Sequence, residues 1–112
     1  MKKVLFVLCV LFLTGCAQKG TLYNWGSYEA QTYSYFKGEP PEAQILQLEN
    51  HMRESKDKGL ILPPGFHAHL ALLYEKIGKP IEMRQMFETE KRLYPESTTY
   101  INNILNGFKG IQ

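Results

Sequence analysis

Between Pro64 and Pro95 the chain gives the same instruction twice: an apolar stripe at helical spacing, then a residue that ends a helix. Phe66, Leu70, Leu73, Tyr74 and Ile77 recur at i, i+4, i+7, i+8 and i+11, which is one face of an α-helix. Gly78 stops that helix, and Pro80 stands where a first helical turn accepts proline. Met83, Met86, Phe87, Leu93 and Tyr94 form the inner face of the next helix, and Pro95 closes it. A connection this short brings the two helices back antiparallel, so the segment is expected to form a helical hairpin.

The same punctuation divides the rest of the chain. Tyr28, Thr32, Tyr35 and Phe36 share a face of a first helix, which Asn24 or Ser27 can cap and which Gly38 and Pro40-Pro41 stop. A second helix starts at Pro41 or Glu42, with Ala43, Ile45, Leu46, Leu48 and Met52 on its apolar side and Gly59 at its end. Leu60 to Leu62 runs extended into Pro63-Pro64. A last helix follows Ser97 and is packed by Tyr100, Ile101, Ile104, Leu105 and Phe108, with Gly107 or Gly110 releasing it. The fold class expected is all-α, with about five helices in antiparallel hairpins and a C-terminal capping helix.

The stretch from Pro64 to Pro95, 32 residues long, resembles a tetratricopeptide repeat, whose period is about 34. Leu70, Ala71, Tyr74, Gly78, Phe87 and Pro95 stand where that repeat places the same residue types. A small side chain at Ala71 lets two helices approach, and Gly78 makes the turn. Met83 and Glu90 depart from the pattern, which places alanine at both positions, and His67 replaces an aromatic. Tyr28 to Met52 reads as a degenerate first repeat. Glu90 falls inside an apolar stripe, where a carboxylate is costly unless hydrogen-bonded. It is expected to accept from a tyrosine hydroxyl or from backbone N–H groups at the start of the fifth helix, or else to bind a partner.

The N-terminus carries an address. Lys2 and Lys3 precede ten apolar residues, Val4 to Leu13, a signal-peptide length that falls short of the roughly 20 residues of a membrane span. Leu13-Thr14-Gly15-Cys16 resembles the bacterial lipobox: a branched apolar residue, two small residues that admit a peptidase, and a thiol that takes the lipid. The organisation expected is a signal peptide over 1–15, a lipidated tether over 16–22 and a helical domain over 23–112. By the same resemblance Cys16 carries acyl chains that anchor the protein. Ala17, where an Asp would retain it at the inner membrane, points to the periplasmic face of the outer membrane. Cys16 to Tyr23 spans at most about 25 Å, so the domain would work close to that surface.

Charge and residue inventory exclude several functions. Lys2 and Lys3 account for the whole net charge of +2, and the basic side chains after them match the 11 acidic ones. Neither nucleic acid nor a polybasic membrane patch is supported. Of the two cysteines only Cys16 lies beyond the signal segment, so no internal disulfide is expected. His67 and His69, two residues apart, project about 200° apart on a helix and cannot share one ion, while His51 stands alone; no metal site and no cofactor are expected. No nucleophile elbow or phosphate loop occurs, and the chain reads as a non-enzyme.

Six aromatics crowd the fourteen residues from Tyr23 to Phe36. Most are expected in the core, while Tyr23, Trp25 and Tyr28 are the candidates for partner binding, since Tyr and Trp serve both protein interfaces and carbohydrate stacking. Tyr23-Asn24-Trp25-Gly26-Ser27-Tyr28 and Glu90-Lys91-Arg92-Leu93-Tyr94-Pro95-Glu96-Ser97 resemble the N- and C-terminal signatures of a family of small bacterial lipoproteins, domain of unknown function 4810. The resemblance implies an envelope assembly shared with other lipoproteins, including one similar to the curli secretion channel. Two functional expectations follow: a membrane-anchored adaptor for envelope lipoproteins or outer-membrane proteins, or a binder of peptidoglycan or another glycan through exposed aromatics.

Overall fold

The structure is a computed structural model and describes residues 1–4 and 22–109. Residues 5–15 of the signal segment, Cys16 and Gly110 lie outside those residues. Residues 22–109 form five α-helices: α1 (Tyr28–Phe36), α2 (Pro41–Asp57), α3 (Phe66–Lys76), α4 (Pro80–Leu93) and α5 (Thr98–Lys109). A single 3-10 turn, Pro95–Ser97, joins α4 to α5. The chain is all-α, with no strand among the described residues. No helix among them is long and apolar enough to cross a membrane.

Punctuation residues act as their chemistry requires. Pro41 and Pro80 open α2 and α4 in the first turn. Gly38, Gly59 and Gly78, each just past a helix end, adopt positive φ, the left-handed step that lets a chain leave a helix. The α3–α4 hairpin forms the most extensive helix pair, and α3 also packs on α2. Consecutive hairpins with a final helix make an arrangement compatible with the tetratricopeptide pattern. Ala71 is fully buried, as a close helix crossing demands.

α3 is the centre of the molecule. Phe66, Leu70 and Leu73 are fully enclosed, and Leu48, Phe87 and Ile101 meet them from α2, α4 and α5 in one cluster. Each such side chain contributes roughly 1.5–3 kcal/mol by leaving water. Because neighbours cover α3 on several sides, its buried set is wider than a single stripe and includes both His67 and His69.

Five expected core positions lie outside. Leu46 is 57 % exposed and Ala43 is exposed too, because the buried line of α2 is Gln44, Leu48, His51 and Ser55, together with Ile45. Those positions obey i, i+4, i+7, i+11; Leu46 lies about 200° from Leu48 around the axis. Phe36 is exposed because α1 ends there, and its inward face is that of Tyr28 and Tyr35. Leu93 and Tyr100 are also exposed. Leu93 ends α4 beyond its inward line Met83, Phe87 and Glu90, and Tyr100 precedes the inward Ile101 on α5.

Candidate functional site

The segment ahead of α1 is bound to the body of the protein through Asn24. Its N–H donates to the Ile61 carbonyl at 2.6 Å, and its Nδ2 donates to Ser55 Oγ at 2.7 Å. Its carbonyl lies 3.0 Å from His51 Nε2, which therefore carries the proton in that contact. Gly26 follows at φ +43°, and a Cβ there would overlap the His51 ring. The glycine thus serves a close approach of backbone to imidazole as well as a turn.

From this fastening a row of aromatic rings runs across the molecule. Tyr23 meets Tyr94 edge-on at 6.2 Å and Trp25 edge-on at 6.3 Å. Trp25 meets Tyr28 at 6.0 Å, and Tyr28 meets Phe66 at 5.6 Å and His69 at 5.9 Å. Tyr35 closes on the other side of His69 at 5.1 Å. The structure therefore brings the three sequence candidates, Tyr23, Trp25 and Tyr28, into one row, each of them half-buried. Tyr28 is committed to α3. Tyr23 and Trp25 lie at the outer end of the row.

Beside Tyr23 opens a cavity of about 640 Å³. Its walls are Leu22, Met52, Leu60, Ile61, Leu62 and Leu93, and Leu22, Leu60, Ile61 and Leu93 are exposed. Lys56 and Arg92 also line it, as do the buried Ser55 and His67. None of the described residues lining it is a carboxylate. Tyr94 holds one wall by donating its hydroxyl to the Leu62 carbonyl at 2.6 Å. Burial, with the Glu90 and Glu96 charges adding to it, raises the Tyr94 pKa, so this donor keeps its proton.

Under the cavity lies the Glu90 carboxylate, 1 % exposed. Oε1 accepts the Gly65 N–H at 2.6 Å, and Oε2 accepts those of His67 at 3.1 Å and Ala68 at 3.4 Å. Neither a tyrosine hydroxyl nor the fifth helix is its partner, which corrects the expectation from sequence. The N–H groups belong to the first turn of α3, which has no side-chain cap of its own. An anion there meets the positive end of the helix dipole. Burial alone would raise the Glu90 pKa, but the His67 imidazole and the Gly65 and Ala68 N–H groups outweigh it, and the net shift is downward. His67 Nδ1 stands 3.7 Å from Oε2, an ion-pair distance beyond a hydrogen bond.

The remaining structural-motif residues have plain roles. Leu70, Ala71 and Phe87 fill the core, and Tyr74 donates its hydroxyl to Glu49, tying α3 to α2. Burial first, then that hydrogen bond, pushes the Tyr74 pKa well up. His67 and His69 face different surroundings, Glu90 and the Tyr28–Tyr35 pair. Among the described residues no three His, Cys, Asp or Glu side chains are grouped to hold a metal. The sequence suggests Asn24 as a cap for α1 and leaves His51 alone, whereas the structure joins them to each other and leaves α1 without a side-chain cap; Ser55 and the Leu60–Leu62 wall were not foreseen. The one local signal was Gly26, a glycine between aromatics with no helix to end.

A family model described as Domain of unknown function (DUF4810) matches residues 22–104, most of the chain, and the chain belongs to that family. No curated protein and no solved structure matches it.

Proposed function

We propose that this DUF4810 chain is a non-enzymatic adaptor, anchored by lipid on Cys16 at the periplasmic face of the outer membrane, whose helical array docks another envelope protein. The observation that carries the reading is the unfinished first hairpin. α1 has no fully buried residue, yet it exposes Tyr33 at 62 % and Phe36 at 79 %, and α2 exposes Leu46. Tyr33 and Phe36 are i, i+3 neighbours on one helix face. Large exposed apolar side chains grouped on one element mark an interaction surface more often than chance exposure does. Arrays of such hairpins are ordinarily continued by a further repeat or closed by a cap, and a partner helix would complete this one. A lipoprotein similar to the curli secretion channel is the partner class that the family resemblance favours.

A second reading is glycan binding, as of peptidoglycan. It draws on a polar cleft of about 310 Å³ lined by Asn24, Ser27, Gln47, Asn50, Glu54 and Lys58. Amides and a hydroxyl are groups that can hydrogen-bond the hydroxyls of a sugar.

The test is crosslinking in intact cells and purification of the tagged protein in mild detergent. Wild type is compared with Cys16→Ala and with Tyr33→Asp/Phe36→Asp. The adaptor reading expects one or two defined envelope proteins with wild type and at least a fivefold loss with either variant. Peptidoglycan fragments in place of proteins, with the loss caused by Asn50→Ala instead, would establish the second reading and overturn the first.

A further inference from the structure

We propose that the cavity between the Leu60–Leu62 segment and the C-terminal end of α4 binds the acyl chain of a single-chain lipid with a carboxylate head, a fatty acid. Its volume of about 640 Å³ is that of a small-ligand site, and its composition is of the same kind: apolar walls with a few placed polar groups. Leu22, Met52, Leu60, Ile61, Leu62 and Leu93 present methyl and methylene groups suited to a hydrocarbon chain.

Charge sets the head group. The described residues lining the cavity include the cations Lys56 and Arg92 and no carboxylate. Both cations are exposed, as a rim must be to meet a head group that stays in water. Over the whole chain beyond Lys3 the acidic and basic side chains balance. A one-sign lining in a balanced protein is local complementarity to an anion.

The wall argues against a peptide zipped on by backbone pairing. The Leu60 N–H is bonded to the Ser55 carbonyl at 2.8 Å. The Ile61 carbonyl accepts from the Asn24 N–H, and the Leu62 carbonyl accepts from the Tyr94 hydroxyl. An added strand depends on such groups being open. With three of its six backbone groups bonded internally, the segment offers a pairing strand at most half a ladder, whereas its Leu60, Ile61 and Leu62 side chains suit an acyl chain.

The experiment uses the full chain in isolated membranes. A palmitate analogue bearing a diazirine and an alkyne is added, the sample is irradiated, and adducts are mapped by tandem mass spectrometry. Adducts are expected on peptides containing Leu60–Leu62 and Leu93. Labelling should fall at least fivefold in Lys56→Glu/Arg92→Glu and in Ile61→Asp, and excess unlabelled palmitate should block it. Both charge reversals are at exposed positions, so that variant keeps wild-type helicity by circular dichroism and carries the test if Ile61→Asp misfolds. Equal labelling by an alkylamine analogue of the same length would overturn the proposal. So would adducts spread evenly over α1 and α5, or competition by an apolar acidic peptide but not by palmitate. Recovery of partner proteins by the Tyr33/Phe36 surface is a separate readout, so this proposal and the adaptor reading can fail independently.

Discussion

Glu90 closes the start of a helix that begins 24 residues before it: its carboxylate takes the N–H of Gly65, which stands at the N-cap of α3, at 2.6 Å. Gly65 sits at φ +89° after two prolines, and a Cβ there would come within 3.0 Å of the Tyr28 hydroxyl. One carboxylate on α4 thereby orders the entry to α3 and the approach of α1. Hydrogen bonds to a charged group contribute about 1.5–3 kcal/mol, and orphaning buried N–H groups costs a similar amount. Glu90→Ala should lose about 3 kcal/mol or more in urea unfolding, and Glu90→Gln about 1–2. An Ala variant within 0.5 kcal/mol of wild type would show that the cap is dispensable.

Two buried groups set the response to acid. The folded-state pKa of His69 is lowered, first by burial and also by Lys76, against the opposing Gln31 backbone. Below the ordinary value of 6.5 the unfolded chain takes up a proton that the folded chain refuses, so stability falls as pH drops from 6.5 toward the folded value. Glu90, also lowered, contributes stability that is full above 4.5 and lost as pH falls through its folded value. Unfolding followed from pH 7 to pH 3 should therefore weaken in two stages. His69→Gln should flatten the first stage and Glu90→Gln the second. A single stage unaffected by His69→Gln would remove His69 from the account.

Gly26 and His51 should behave as one unit. Gly26→Ala places a methyl group in the imidazole ring at a backbone angle that favours glycine. The expected cost is about 2 kcal/mol, from overpacking and left-handed strain together. His51→Ala should relieve the overlap, so the double variant should be more stable than the sum of the single losses. Strict additivity in that cycle would place the two residues apart.

Leu46 and Leu48 offer a direct check on the face of α2. Leu48 is fully enclosed, and Leu48→Ala should cost about 2–5 kcal/mol. Leu46 is 57 % exposed, and Leu46→Ala should stay within about 0.5 kcal/mol. The reverse order in thermal unfolding would mean that α2 is rotated.

The two leucines also show how far the pattern was legible. Reading apolar residues along α2 collects Ala43, Ile45, Leu46, Leu48 and Met52, which lie around more than half the helix and leave its phase open. The buried line needs Gln44, His51 and Ser55, each admitted by a specific partner. Gln44 Nε2 donates to the Glu39 carbonyl, His51 meets the Asn24 backbone, and Ser55 accepts from Asn24. On α3, by contrast, Phe66, Leu70, Leu73 and Tyr74 announce their face directly. Of the site, Tyr23, Trp25 and Tyr28 were visible from residue type, whereas the Leu60–Leu62 wall looked like a linker. Its role arises from Asn24 and Tyr94, which lie far from it along the chain.

The sequence by itself determined the helices, their turns and the all-α class. Periodicity, proline in first turns and glycine at left-handed steps are local properties, and each acts within a few residues. Only the tertiary structure decided which polar groups went inside. Burying Glu90, His51 or Ser55 is favourable only when donors or acceptors from another segment arrive at hydrogen-bonding distance. That requirement joins residues more than twenty positions apart, and no local pattern carries it.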